Sequence, residues 1–196
     1  MICTTYYNSP VGKILLASKN NKLIGLWIEG QKYYLGKLKE EIQEKEDEEI
    51  LVKTRKWLDK YFKGENPNIA ELDLEPIGSD FAKSVWKLLC EIPYGQVTTY
   101  GEIAKKIAKK MNKDKMSAQA VGGAVGHNPI SIIIPCHRVI GTNGNLTGYA
   151  GGIDKKIKLL NIENVNISKF YIPAKGTALQ RRIEKWIIKQ DANGVI

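Results

Sequence analysis

The break at Pro76-Ile77-Gly78 constrains this chain more than any other feature, because the hydrophobic pattern changes character across it. Before it, the segments 2–7, 13–18 and 22–28 are short, extended in pattern and separated by Asn8-Ser9-Pro10 and Asn20-Asn21, which favour turn dihedrals. They predict an antiparallel meander. Helices are expected over 33–44 and 50–62, with a solvated turn over 44–49 between them. In the second helix Ile50, Leu51, Thr54, Trp57, Leu58, Tyr61 and Phe62 fall on one stripe, which reads as a buried face rather than a cofactor box. Ala70, Leu72 and Leu74 alternate with acidic residues and predict a half-buried strand just before the break.

After the break the pattern is helical. Ser79 is a plausible N-cap for a helix carrying Phe81, Val85, Trp86 and Leu89, which stops before Pro93. Thr99 with Glu102 makes a capping box opening Tyr100–Lys110, and Ser117 opens Ala118–Gly126. The short basic connection 111–116 makes these two a helix-turn-helix candidate. On the third helix Ala118, Gln119, Gly122, Gly123 and Gly126 share one face, and Ala120, Val121, Ala124 and Val125 share the other. Mid-helix glycine costs about 0.8–1.0 kcal/mol relative to alanine, so Gly122-Gly123 imply either tight helix–helix packing or close approach by a ligand backbone. The domains expected are 1–78 (α/β), 79–166 (mainly α) and 167–196 (an arm and a short helix bearing Leu179, Ile183, Trp186 and Ile187).

Charge is divided unevenly. Residues 1–78 hold 12 Lys+Arg against 13 Asp+Glu, whereas 79–196 hold 18 against 8, so the net +9 belongs to the second part. Such asymmetry suggests a polyanion, most often nucleic acid. No run approaches the ~18 apolar residues of a membrane span, and the N-terminus lacks a secretory pattern, so the chain reads as cytoplasmic with no membrane partner. Cys3, Cys90 and Cys136 are odd in number, form no CxxC pair and accompany only His127 and His137, which fits free thiols rather than disulfides or a zinc site.

The run Ile130-Ser131-Ile132-Ile133-Ile134 reads as a buried strand that delivers Pro135-Cys136-His137-Arg138. A histidine beside a cysteine suggests an activated thiolate, yet neighbouring side chains in an extended segment point apart, and a bare Cys-His pair is also what an inert buried cysteine looks like.

The chain resembles the O6-alkylguanine-DNA alkyltransferases. The resemblance is carried by Ile134-Pro135-Cys136-His137-Arg138-Val139 and by the upstream segment 92–101. It continues through Ala120-Val121-Gly122-Gly123-Ala124 and Asn128-Pro129 to Gly148-Tyr149-Ala150-Gly151-Gly152. It implies a ribonuclease H-like α/β domain followed by a winged-helix DNA-binding domain. It implies a single-turnover repair protein that moves a methyl or alkyl group from guanine O6, and also thymine O4, to Cys136 with no cofactor. By the same resemblance His137 activates Cys136 through a water, Glu163 on the helix opened by Asp154 orients His137, Asn128 joins this network, and Tyr100 donates toward guanine N3. Tyr149, Ala150, Gly151 and Pro135 would line the substrate pocket. Thr98, Thr99, Ala118, Gln119, Gly122, Gly123 and Gly126 would meet double-stranded DNA containing the O6-alkylguanine, with Lys105, Lys106, Lys109, Lys110, Lys113 and Lys115 as phosphate partners.

Many members of that family carry arginine where this chain has Gln119, which has neither the cation nor the planar fork. The family zinc site of some larger members does not carry over, because its ligands are absent. A monomer is expected. The competing readings are a lesion-sensing DNA-binding protein without catalysis, against which Cys136 argues, and a cysteine hydrolase, for which no oxyanion hole is legible.

Overall fold

The computed structural model describes residues 1–172 apart from 37, 39 and 147. Strands β1 (Ile2–Ser9), β2 (Gly12–Lys19) and β3 (Lys22–Ile28) form the expected antiparallel meander. Asn20 and Asn21, at φ 52° and 56°, make the tight β2–β3 turn, where both central residues need the left-handed region. A short fourth strand, β4 (Ile42–Glu44), pairs parallel to β1 and completes a mixed sheet of order β3-β2-β1-β4.

The sheet buries both faces. Ile14, Leu16, Leu26 and Ile28 join the main core, which α1 (Glu49–Phe62) covers, and Ile2, Leu15, Ala17, Ile24 and Trp27 form a smaller cluster beneath Tyr34, Leu35 and Leu38. This second cluster explains why the helix expected over 33–44 is absent. Residues 32–36 form turns, with Tyr33 and Leu35 at positive φ, and lay side chains onto Trp27 before β4 begins. The stripe on α1 is buried as expected, except that Phe62 is only half-buried.

Two further expected strands are not strands. Residues 69–71 wind into a 3-10 turn capped by Asn68, and only Leu74 reaches the sheet, by a single bridge to Leu23. Local alternation there reflects burial of Leu72 rather than a ladder. Residues 130–134 are fully buried but turned, joined to the sheet only by the bridge Leu26–Ile130.

Helices α2 (Asp80–Cys90), α3 (Tyr100–Lys110) and α4 (Ala118–Gly126) begin at the caps the sequence predicts: Ser79, the Thr99/Glu102 box and Ser117. Each such cap is worth about 1 kcal/mol. The Trp86 indole donates to Ala124 O at 2.8 Å and ties α2 to α4. Ala120, expected on the packed face of α4, is exposed, while Val121, Ala124 and Val125 are buried. A parallel pair, β5 (Thr98–Thr99) with β6 (Val139–Ile140), then joins the start of α3 to the cysteine turn. Helix α5 (Ile153–Ile162) follows, and Glu163 caps its end rather than lying within it. Of the tail, 167–169 form a short turn and Tyr171 bridges to Asn145, while the arm beyond 172 and the expected terminal helix lie outside the described residues. No helix among the described residues is long and apolar enough to cross a membrane.

Candidate active site

The turn that carries Cys136 is held by its own backbone hydrogen bonds, among them Ile134 N to Ile130 O at 3.0 Å, and by one side chain. Asn128 Oδ1 accepts from Ile130 N at 3.0 Å, and its Nδ2 donates to Ile134 O at 2.8 Å and Cys136 Sγ at 3.1 Å. Between them Ile132 sits at φ 71°, a costly conformation for a β-branched residue that persists only where surroundings enforce it. Cys136–Arg138 then form a 3-10 turn, all three buried, with Cys136 3% exposed.

That turn sends His137 and Arg138 inward to Glu163. The carboxylate accepts from His137 Nε2 at 2.6 Å and Arg138 Nε at 2.8 Å. It also accepts from Arg138 Nη2 at 3.0 Å, the Tyr61 hydroxyl at 2.8 Å and Gly95 N at 3.3 Å. Burial works to raise the Glu163 pKa, but the hydrogen bond and, once it is protonated, the charge of His137, followed by the hydrogen bonds and charge of Arg138, outweigh it and hold the carboxyl at about 2. Arg138 already balances that charge, so His137 has no need to become cationic, and burial lowers its pKa below the ordinary value. With Nε2 committed to Glu163, the buried Nδ1 has no hydrogen-bond partner among the described residues.

Burial raises the Cys136 pKa, opposed chiefly by the Asn128 hydrogen bond and by the Lys156 charge. Lys156, itself fully buried and donating to Val139 O at 2.6 Å, is pushed down to about 8 by desolvation, with Cys136 pulling the other way. At neutral pH the cysteine is therefore a thiol and the neighbouring imidazole is neutral.

Beside this cluster lies a cleft of about 690 Å³, walled by α4 through Ala118, Gln119, Gly122 and Gly126, and by Tyr100, Tyr149 and Ala150. Lys32 and Tyr33 of the sheet domain also line it. The Tyr100 hydroxyl donates to Gly148 O at 2.9 Å, and burial together with the nearby Cys136 raises its pKa to about 12, so it keeps its proton. A Cβ on Gly148, which sits at φ 85°, would strike that hydroxyl.

The structure thus pairs Asn128 with Cys136 and His137 with Glu163 at one buried turn, none of the four lining the cleft, and sets Tyr100, Tyr149, Ala150, Ala118, Gln119, Gly122 and Gly126 around it. Pro135 and Gly151 flank these groups without lining it, and Gly123 opens to solvent on another side of α4. Thr98 and Thr99 direct their hydroxyls to Glu102 Oε2 at 2.7 and 3.2 Å, so those protons serve the start of α3. Lys105, Lys106, Lys109 and Lys110 of α3 and Lys113 and Lys115 of the connection after it are all exposed. A Cβ at Gly123 or Gly126 would meet nothing within 4 Å, so packing inside the chain does not require glycine there.

Sequence reasoning missed Tyr61, Arg138, Gly95 and Lys156. Arg138 was quoted in the motif without a role. For Tyr61 a signal existed, since a buried phenol at the end of an apolar stripe needs a partner for its hydroxyl. Nothing in the sequence pairs Gly95 or Lys156 with the site.

Comparison with known proteins agrees with this geometry. Residues 2–76 match the ribonuclease-like domain of 6-O-methylguanine DNA methyltransferase, and residues 80–165 match its DNA binding domain. The chain is 41% identical to a methylated-DNA–protein-cysteine methyltransferase of Haemophilus influenzae, over 82% of this chain and 86% of that one. It is 46% identical to the protein of that name from Methanosarcina acetivorans, over 80% and 95%. The crystal structure of Mycobacterium tuberculosis OGT in complex with DNA superposes with a TM-score of 0.70 at 38% identity, covering 86% of this chain and 94% of that one. With both parts of the chain matched, and relatives this similar over most of their length, the chain belongs to the 6-O-methylguanine DNA methyltransferase family.

Proposed function

We propose that this protein is a methylated-DNA–protein-cysteine methyltransferase that repairs DNA by moving the alkyl group from guanine O6, and from thymine O4, to Cys136 once per molecule. The observation that supports it most is the buried His137–Glu163 hydrogen bond next in sequence to a cysteine that Asn128 holds, with Tyr100 and Tyr149 lying between that cysteine turn and an open cleft.

The target oxygen is paired inside a duplex, so the nucleotide must leave the stack at a cost of roughly a few kcal/mol. The small residues Ala118, Gly122 and Gly126 let the α4 backbone approach the minor groove, and Gln119 fills the gap. The exposed lysines of α3 and of the connection after it, Lys105, Lys106, Lys109, Lys110, Lys113 and Lys115, meet phosphates. With the base in the cleft, the Cys136 proton passes to His137 Nδ1 through a water, sulfur attacks the alkyl carbon, an S–C bond forms and the C–O6 bond breaks. Tyr100 donates toward guanine N3 as negative charge develops there. The guanine gains one proton overall and the cysteine loses one. The thioether has no leaving group that any residue here could displace, so the protein is consumed. No cofactor enters these steps, and the protein acts as a cytoplasmic monomer.

Intact mass after incubation with duplex containing O6-methylguanine tests this reading, with Cys136→Ser as control and peptide mapping of the product. The expected result is one methylene-equivalent on Cys136, saturating at one per protein and absent from the control. A folded, reduced protein that binds the lesion yet gains no mass would overturn it and leave a sensing protein.

A further inference from the structure

We infer that Tyr61, a residue of the sheet domain's helix α1, is a positioning residue for the thiol-activating pair. Its hydroxyl shares Glu163 Oε1 with His137, holding the carboxylate in place and reducing its pull on the imidazole so that His137 remains a neutral base. The inference rests on the methyl-transfer reading for its meaning, but not for its geometry.

Oε1 of Glu163 accepts three donors: His137 Nε2 at 2.6 Å, Tyr61 Oη at 2.8 Å and Arg138 Nη2 at 3.0 Å. A phenol has one proton. With that proton on Oε1, Tyr61 Oη presents a lone pair to His137 Nε2, 3.4 Å away. Both neighbours of Nε2 are then acceptors, which keeps the ring proton on Nε2 and leaves the buried Nδ1 as the basic nitrogen.

Packing alone does not call for the hydroxyl. The Tyr61 ring is 1% exposed, stacks on Trp57 with centroids 5.6 Å apart, and meets Phe62 and Tyr94 edge-on, contacts that phenylalanine would reproduce. A buried hydroxyl is costly unless it is bonded, and this one is bonded to the residue that orients the base, 102 positions away in sequence. The groups facing His137 are Glu163 and Lys156 from α5 and its end, Arg138 and Cys136 from its own turn, Tyr149 from the following loop, and Tyr61 from α1. Among these Tyr61 alone comes from the sheet domain, so the chemistry of one domain is tuned by the other.

The test is Tyr61→Phe in the full chain, read by the pH profile of single-turnover methyl transfer and by 15N NMR of the His137 ring nitrogens across pH. Lesion affinity is measured with Cys136→Ser added. Without the hydroxyl, Glu163 carries more uncompensated charge and draws His137 toward the imidazolium. The His137 midpoint and the acid limb of the profile should both move to higher pH by about half a unit or more, with affinity within about twofold. Unchanged midpoint and profile overturn the proposal. Should the variant fail to fold, 3-fluorotyrosine at position 61 keeps ring and hydroxyl but donates more strongly, and the midpoint should move to lower pH; an unchanged midpoint again overturns it. If neither variant nor parent transfers a methyl group, the methyl-transfer reading fails, while the NMR midpoint still decides the place of Tyr61.

Discussion

Glu163 is 1% exposed and accepts from four residues, so its ionisation is maintained by protein donors in place of water. Removing any donor leaves a charge that the interior cannot otherwise solvate, and for this reason Arg138, which supplies the balancing charge, matters as much as His137. Gln119 is the opposite case. It is exposed at the start of α4, lines the cleft and is free to change without disturbing the core. Gln119→Arg adds a cation and a planar fork where an extrahelical base would leave a gap. Binding to lesion-containing duplex should tighten several-fold with thermal stability unaltered, as read by fluorescence anisotropy and melting. Equal affinity and equal repair rate would remove Gln119 from the interface.

The helix α4 carries its glycines at a cost of about 1 kcal/mol each in propensity, and the structure shows no internal neighbour that demands them. Gly122 is the informative one, because a Cβ there would lie 3.8 Å from the Tyr100 ring, an ordinary contact, and would project into the cleft. Gly122→Ala should raise stability by about 1 kcal/mol and the melting temperature by roughly 2–4 °C. At the same time the methyl should weaken lesion-duplex binding. A stabilised variant with undiminished binding would mean that the small face is not a nucleic-acid surface. The caps of α2, α3 and α4 were legible in sequence because a cap is satisfied within four residues. Residues 33–44, 70–74 and 130–134 were misread because their form is set by distant partners: Trp27 under the 32–36 turns, Leu23 beside Leu74, and Asn128 knotting the turn before Cys136.

The two domains share one continuous cluster of buried side chains, from Leu26 and Trp57 to Val85, Trp86 and Ile133, and the hydrogen-bonded group around Glu163 adjoins it, with Tyr61 reaching from one domain to Glu163 of the other. Cys136 and His137 are visible from their motif, whereas Glu163 comes only through resemblance, and for Tyr61 the sequence shows that a buried phenol needs a partner but not which one, since nothing local marks a pair so far apart in sequence. This burial couples the site to the stability of the whole chain. The Glu163 pKa is about 2 when folded against an ordinary 4.5, so between these values the unfolded chain binds more protons and acid favours unfolding. His137 is lowered from 6.5 by burial, so its contribution is likewise present above 6.5 and lost as pH falls toward its folded value. The exposed Glu40, Glu49 and Glu102 are also lowered, by Lys19, Lys53 and Thr98 hydrogen bonds respectively, but solvent screens such contacts and they add little. Urea midpoints should therefore decline below about pH 6.5 and fall most steeply below about 4.5, with Glu163 accounting for on the order of 3 kcal/mol across its window. Glu163→Gln, less stable at neutral pH because Arg138 loses its counter-charge, should show a flatter decline below pH 4.5. Parallel profiles for parent and variant would mean that Glu163 is not the group whose protonation opens the fold.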